Sequence, residues 1–397
     1  MGLFKDEKVK NAVVIGTLCA SAYLAVYIAR NLLSAVSPQM IASGVFTTEY
    51  IGSASSLYFT FYAIGQLING AIGDKIKARY MISFGLIFAG VCSIAFPYVS
   101  FNQTSALFVY AMTGFFLSMI YGPMTKTVAE NTEPEYAVRC SLGYTFSSFF
   151  GSPLAGVLGA LLVWQSAFMV SSIMLFVMGA LCFVLFFLFE KKGIVKYGQY
   201  KKQEGKGGGI KALIERQIIK FVFISVITGV VRTTVVFWLP TYISQYLGFS
   251  ADTSAAIFTA ATLVISFTAF IAVFVYEKLN RNMDLVITLG FTSAAIAFFF
   301  VYFLKTPVLN IVFMVLAIMS SNCAASMMWS RYCPSLRDTG MVSSATGFLD
   351  FMSYMAAAAS SKIFANAVSS IGWGNLIIVW FGLMVAGVIV SFVRKHE

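Results

Sequence analysis

The sequence predicts an all-α membrane protein, with twelve transmembrane helices arranged in two pseudo-symmetric six-helix halves. Three observations carry that prediction. Of the 397 residues, 59% are hydrophobic and 11% charged, against roughly 45–50% and about 25% in soluble domains. A soluble core could not hide that much apolar surface, so lipid has to be the solvent. The apolar runs have the length of helices that cross a hydrocarbon core of about 30 Å, and are too long for the strands of a barrel. Finally, one long basic stretch divides the runs six and six.

The first span, 11–37, follows Lys5, Lys8 and Lys10. It exceeds the apolar core of a signal peptide and encloses Arg30, so it reads as a retained helix. Spans 53–73 and 80–98 are parted by Asp74, Lys75, Lys77 and Arg79. Asn102 and Gln103 precede the fourth, 105–127, and Lys126 stands at its far end. Arg139 precedes the fifth, 140–162, and Trp164 opens the sixth, 165–189. Residues 191–216 then link an N-terminal half, 1–190, to a C-terminal half, 217–397. The linker holds eight basic residues, with Lys206 among Gly205 and Gly207 to Gly209. It lacks the GxxxxGK[ST] spacing of a phosphate loop, so it reads as a solvated connector and the chain as no ATP-driven pump. In the second half the spans are 217–244, 253–276, 285–304, 307–329, 341–366 and 373–393. Glu277, Lys278, Asn280, Arg281 and Asn282 part its second span from its third.

The net charge is +11. Positive residues collect in cytoplasmic loops. With the N-terminus inside, 23 of the 27 Lys and Arg fall in termini, linker and loops on that side, and Lys305 and Lys362 on the other. The excess is therefore a topology signal and needs no nucleic-acid partner. Both termini are expected in the cytoplasm of a multi-pass protein, and the short loops suggest a bacterial inner membrane. The lipid bilayer is the expected environment and a monomer the expected functional form. The six cysteines have no metal-type spacing and read as small buried hydrophobes. The single histidine, His396, lies next to the end. No metal, cofactor or enzyme chemistry is expected.

The halves repeat. Arg30 and Arg232 are 202 residues apart, as are Pro38 and Pro240; Asp74-Lys75 and Glu277-Lys278 are 203 apart. Trp164 and Trp373 each open the sixth span of their half. Duplication of a six-helix unit leaves such a register. The stretch from Gly70 through Gly73, Asp74, Lys75 and Lys77 to Arg79 resembles the loop signature of the major facilitator superfamily, and Glu277 to Arg281 resembles its second copy. The resemblance implies that fold for the whole chain. It also implies that Asp74, Arg79 and Glu277 latch helix ends, with the glycines allowing close approach.

Setting aside the 23 cytoplasmic and two external basic residues leaves Arg30 and Arg232, each within an apolar span. Each costs about 2.5–3.5 kcal/mol at mid-membrane on insertion scales. Snorkelling to an interface is one outlet. The other is function: a guanidinium is a planar, permanently charged fork that fits phosphate or carboxylate bidentately. A pseudo-twofold axis would bring the two together, so a small anionic substrate is expected. Tyr23, Tyr27, Arg30 and Ser34 share one helical face, with Asn31 beside it. Tyr58, Tyr62, Gln66 and Asn69 form a second polar stripe, open to either cavity lining or helix–helix hydrogen bonding. Asp350, on a stripe with Thr346 and Tyr354, is read as either a structural acid or a gating and proton-coupling carboxylate. Lys126 is read as either a topology charge or an inner gate.

Tyr27, Arg30 and Asn31, the run Val231 to Thr233, the run Trp238 to Tyr242, and the region from Gly347 to Tyr354 are similar to the organophosphate:phosphate antiporter family. That resemblance implies exchange of inorganic phosphate for a phosphorylated metabolite by alternating access, with Arg30 and Arg232 binding the phosphate group. The sequence departs from the family at Gln66, where a lysine is frequent, in having no membrane histidine, and in lacking an acid in the eighth helix. A proton-coupled symporter of carboxylates and a non-transporting sugar-phosphate sensor are the rival readings.

Overall fold

The computed structural model describes residues 7–73, 76–197, 209–336 and 342–393, and these are helical with no strand among them. Inside lipid no water can satisfy peptide groups, and helices satisfy them within each segment. The first half holds α1 (Glu7–Ala42), α2 (Thr48–Gly73), α3 (Ala78–Val99), α4 (Gln103–Asn131), α5 (Pro134–Leu161) and α6 (Trp164–Lys191). A short helix, Gly209–Glu215, precedes α7 (Ile218–Gln245), α8 (Ala251–Lys278), α9 (Met283–Phe303) and α10 (Pro307–Ser335). The last helical stretch, Val342–Ser391, turns at Gly372, whose φ is 76°. That single left-handed residue separates α11 (342–371) from α12 (373–391), and its conformation suits glycine.

The twelve expected spans are thus all present, and the chain is an integral multi-pass membrane protein. By length and hydropathy alone nine helical stretches among the described residues qualify as spans. The α11–α12 stretch counts there as one, and α2 and α5 do not qualify. The polar stripe of Tyr58, Tyr62, Gln66 and Asn69 lowers the hydropathy of α2. Several spans are interrupted. In α4 the helix breaks at Ser118–Ile120, and in α8 at Phe267. A π-turn occupies Val230–Val235 of α7, and another Met328–Tyr332 of α10.

Two compact units form. One comprises Met1–Met40 and Leu57–Lys202, the other Ile41–Ser56 and Gln203–Glu397. In the first, Phe96, Tyr110, Trp164 and Phe168 pack ring to ring. α5 meets α1 at bare glycine: a Cβ on Gly151 would stand 2.3 Å from that of Tyr27, and one on Gly159 3.0 Å from the Ala35 carbonyl oxygen. Gln39, at the C-terminal end of α1, donates its amide to the carbonyls of Gly159 and Leu162. In the second unit, Trp238, Tyr242, Trp373 and Trp380 form the aromatic core. α7 meets α11 through Gly229 against Ser353, and through hydroxyl bonds of Ser225 to Leu349 and Thr234 to Ala357. Residues 48–56 belong to this unit: Ser55 and Ser361 share a hydroxyl bond of 3.0 Å, and Gly52 faces Ala365.

Candidate anion-binding site

The first unit builds a nest of rings around Arg30. The residue is 9% exposed. Its Cζ lies 5.3 Å from the ring centre of Tyr27, one turn earlier on α1. From α2 come Phe59 at 5.6 Å and Tyr62 at 5.5 Å. A guanidinium over ring faces gains about 0.5–2 kcal/mol per contact, more where water is excluded. Those rings offset part of the cost of holding a cation among apolar helices. Tyr23 extends the group, with its ring 5.0 Å from Tyr27, 5.4 Å from Tyr121 and 6.4 Å from Tyr144. Tyr121 and Tyr144 escaped the sequence reading. They come from α4 and α5, and their spacing to Tyr23 carries no periodic signal.

The other members of the two stripes fall into different places. The Asn31 side chain donates to the Tyr27 carbonyl at 2.7 Å, a bond within its own helix. Gln66 is half-buried on α2. Asn69, one turn on, donates to Ser118 at 2.8 Å and to the Phe115 carbonyl, bridging α2 to the break in α4.

In the second unit Arg232 stands on the π-turn of α7 and is half-buried. Its Cζ lies 6.0 Å above the ring of Trp329. Trp329 stands on the π-turn of α10. A π-turn holds one residue more than an α-turn, and such bulges gather at functional sites. Sequence reading did not find Trp329. At the end of a span, a tryptophan is what any membrane interface attracts.

Four of the five charged residues read as gating or coupling groups lie among the described residues. Lys126 donates to the Gly73 carbonyl at 3.3 Å, so it caps the C-terminal end of α2, where a cation meets the negative end of the helix dipole. Arg79 is buried and donates to Glu190 at 3.3 Å and to the Tyr80 hydroxyl at 2.6 Å. Lys77 and Tyr197 also converge on the Glu190 carboxylate, at 3.5 and 3.1 Å. Glu190 therefore completes a latch between α3 and α6 that the loop motif alone did not name. Asp74 lies outside the described residues. Glu277 is exposed, and the neighbouring Tyr276 ring instead carries the Arg331 guanidinium at 4.7 Å. Asp350 is half-buried on α11. No cluster of metal-ligating side chains occurs among the described residues.

Comparison with known proteins fits this architecture. The membrane sensor protein UhpC of Escherichia coli is 22% identical over 90% of this chain and 86% of its own. The UhpC of Salmonella typhimurium is 25% identical, but the match spans only 59% of this chain and 58% of that one. The glycerol-3-phosphate transporter of Bacillus subtilis is 23% identical over 58% of this chain and 57% of its own. Among solved structures, a D-xylose-proton symporter superposes with a TM-score of 0.75 at 14% identity, covering 97% of this chain and 98% of that one. The family model described as Major Facilitator Superfamily matches residues 19–361. With twelve helices, a duplicated register and that match, the chain is a transporter-type membrane protein rather than an enzyme, and it belongs to the Major Facilitator Superfamily.

Proposed function

We propose that this protein carries a small organic anion across the bacterial inner membrane by alternating access, exchanging a phosphorylated metabolite for inorganic phosphate. Both termini then lie in the cytoplasm and the monomer is the working unit. The observation that carries the reading is the matched pair of intramembrane arginines, each resting on aromatic faces. Rings hold a guanidinium by its charge and orient its planar fork, whose donors suit an oxyanion. In this reading Arg30 and Arg232 each bind phosphate through a donor fork. Tyr23, Tyr27 and Tyr62 line the Arg30 side, with hydroxyls suited to oxyanions. Neutralisation of the two cations by substrate favours passage between the two access states, which makes exchange obligatory and uses no ATP. The likeness to a glycerol-3-phosphate transporter supports the substrate class.

The test is radiolabelled phosphate exchange in proteoliposomes for wild type, Arg30→Lys and Arg232→Lys. Lysine keeps the charge and loses the fork. Each variant should lose exchange by about 10–100-fold, the worth of a hydrogen bond to a charged group, while folding normally. Phosphate transport that persists in both variants would sink the clamp. A second reading draws on the likeness to UhpC over most of the chain: a sensor that binds the same anion and moves none. Saturable binding with no exchange above empty liposomes would decide for it.

A further inference from the structure

The second unit pairs two local departures from α-helix. The π-turn of α7 bears Arg232, that of α10 bears Trp329, and the two side chains meet guanidinium over indole. Coincidence of two π-turns at one side-chain contact needs a reason, because each gives up regular hydrogen bonding. Next to Arg232, the Thr233 hydroxyl is buried and has no hydrogen-bond partner among the described residues. An unpaired buried hydroxyl costs free energy until something bonds it. Trp329 is only half-buried, whereas Trp164, Trp238, Trp373 and Trp380 are all buried in the cores of their units. Its indole is thus the one of the five that keeps accessible surface beside an intramembrane cation.

We propose that Trp329 is a specificity-determining residue of the anion site, one that selects anions with a carbon skeleton over inorganic phosphate. The proposal rests on the anion reading of Arg232. Without substrate, the ring face holds the guanidinium in place. An anion that bonds the guanidinium weakens its attraction to the ring, since that attraction is electrostatic. The indole face is then available to the C–H groups of a polyol or sugar attached to the phosphate. Inorganic phosphate has no such groups and gains nothing from the ring beyond the positioning of Arg232. The π-turns set the geometry: the additional residue in each turn re-aims the side chains that follow it, so neither group stands where an ordinary helix would put it.

The experiment is equilibrium binding of glycerol 3-phosphate and of inorganic phosphate to the full-length protein in detergent, for wild type, Trp329→Phe and Trp329→Leu. Leucine should weaken glycerol 3-phosphate by about tenfold, the worth of one aromatic contact, and inorganic phosphate by much less. Phenylalanine keeps a ring and should restore most of the preference. The ratio of the two affinities is the readout, because a merely structural loss would lower both together. If leucine lowers both equally, or changes neither, the assignment of Trp329 falls while the anion reading stands. If wild type binds neither anion, the anion reading falls and takes this assignment with it.

Discussion

Substitution of Gly151 by alanine tests the α1–α5 contact beneath the arginine nest. The added methyl would stand 2.3 Å from the Tyr27 Cβ, 3.0 Å from the Tyr27 carbonyl carbon and 3.2 Å from the Ile28 nitrogen. Ordinary contact begins at 3.4 Å, so α5 has to retreat from α1 by about 1 Å, and backbone rather than a flexible side-chain tip stands in the way. Gly159 meets the Ala35 carbonyl two turns further on, which blocks relief by sliding along the helix. Overpacking of this kind costs about 1–3 kcal/mol. For a unit of this size that lowers the melting temperature by roughly 2–12 °C. The backbone that is pushed carries the Tyr27 ring under Arg30, so phosphate exchange should fall as well. Thermal unfolding in detergent and exchange in proteoliposomes are the assays, with Gly382→Ala as control, because a Cβ there meets nothing within 4 Å. A Gly151→Ala protein that melts within about 1 °C of wild type and exchanges at the same rate would refute the close α1–α5 approach.

Two further outcomes are expected. Burial, and then the Glu190 carboxylate, push the Tyr197 phenol above its ordinary range. A raised folded pKa contributes stability in full below the unfolded value, near 10, and loses it as pH rises beyond that value; wild type should therefore lose stability above about pH 10 more steeply than Tyr197→Phe in a series of melts. The Tyr242 hydroxyl donates to the Asn310 oxygen at 2.5 Å, and the Asn310 amide donates to the carbonyls of Val301 and Leu304. Tyr242→Phe leaves a fully buried oxygen unpaired and should cost about 1–3 kcal/mol, and Asn310→Ala should cost more, as both carbonyls at the C-terminal end of α9 lose their donor; denaturation in mild detergent measures both.

What the sequence made legible follows from what lipid penalises. Arg30 and Arg232 stood out because charge inside an apolar span is costly, and that cost shows in one dimension. The spans were legible for the same reason: Trp373, read as the start of the twelfth, follows the turn at Gly372, while the eleventh, read as ending at 366, continues to that turn. The ring nest was half legible: Tyr23 and Tyr27 lie on the Arg30 face by helical spacing, and Tyr62 lies on the α2 stripe. Phe59 lies outside that stripe, and Tyr121 and Tyr144 reach the group only through packing of α4 and α5. Trp329 was invisible because its meaning lies in a contact across helices. The π-turns were invisible because i→i+5 bonding is decided by neighbouring helices and not by residue type. Glu190 stood just beyond the sixth span, and only the folded chain shows Arg79, Lys77 and Tyr197 converging on it.

The π-turn of α7 also changes what the duplication means. Arg30 and Pro38 are separated by the same number of residues as Arg232 and Pro240. The first pair sits on a continuous α-helix; the second has a wider turn between its members. One residue of an α-helix corresponds to about 100° of rotation, so the second proline lags the first by an angle of that order, measured from its own arginine. Two copies of an ancestral unit have thus diverged in geometry while their residue count stayed fixed.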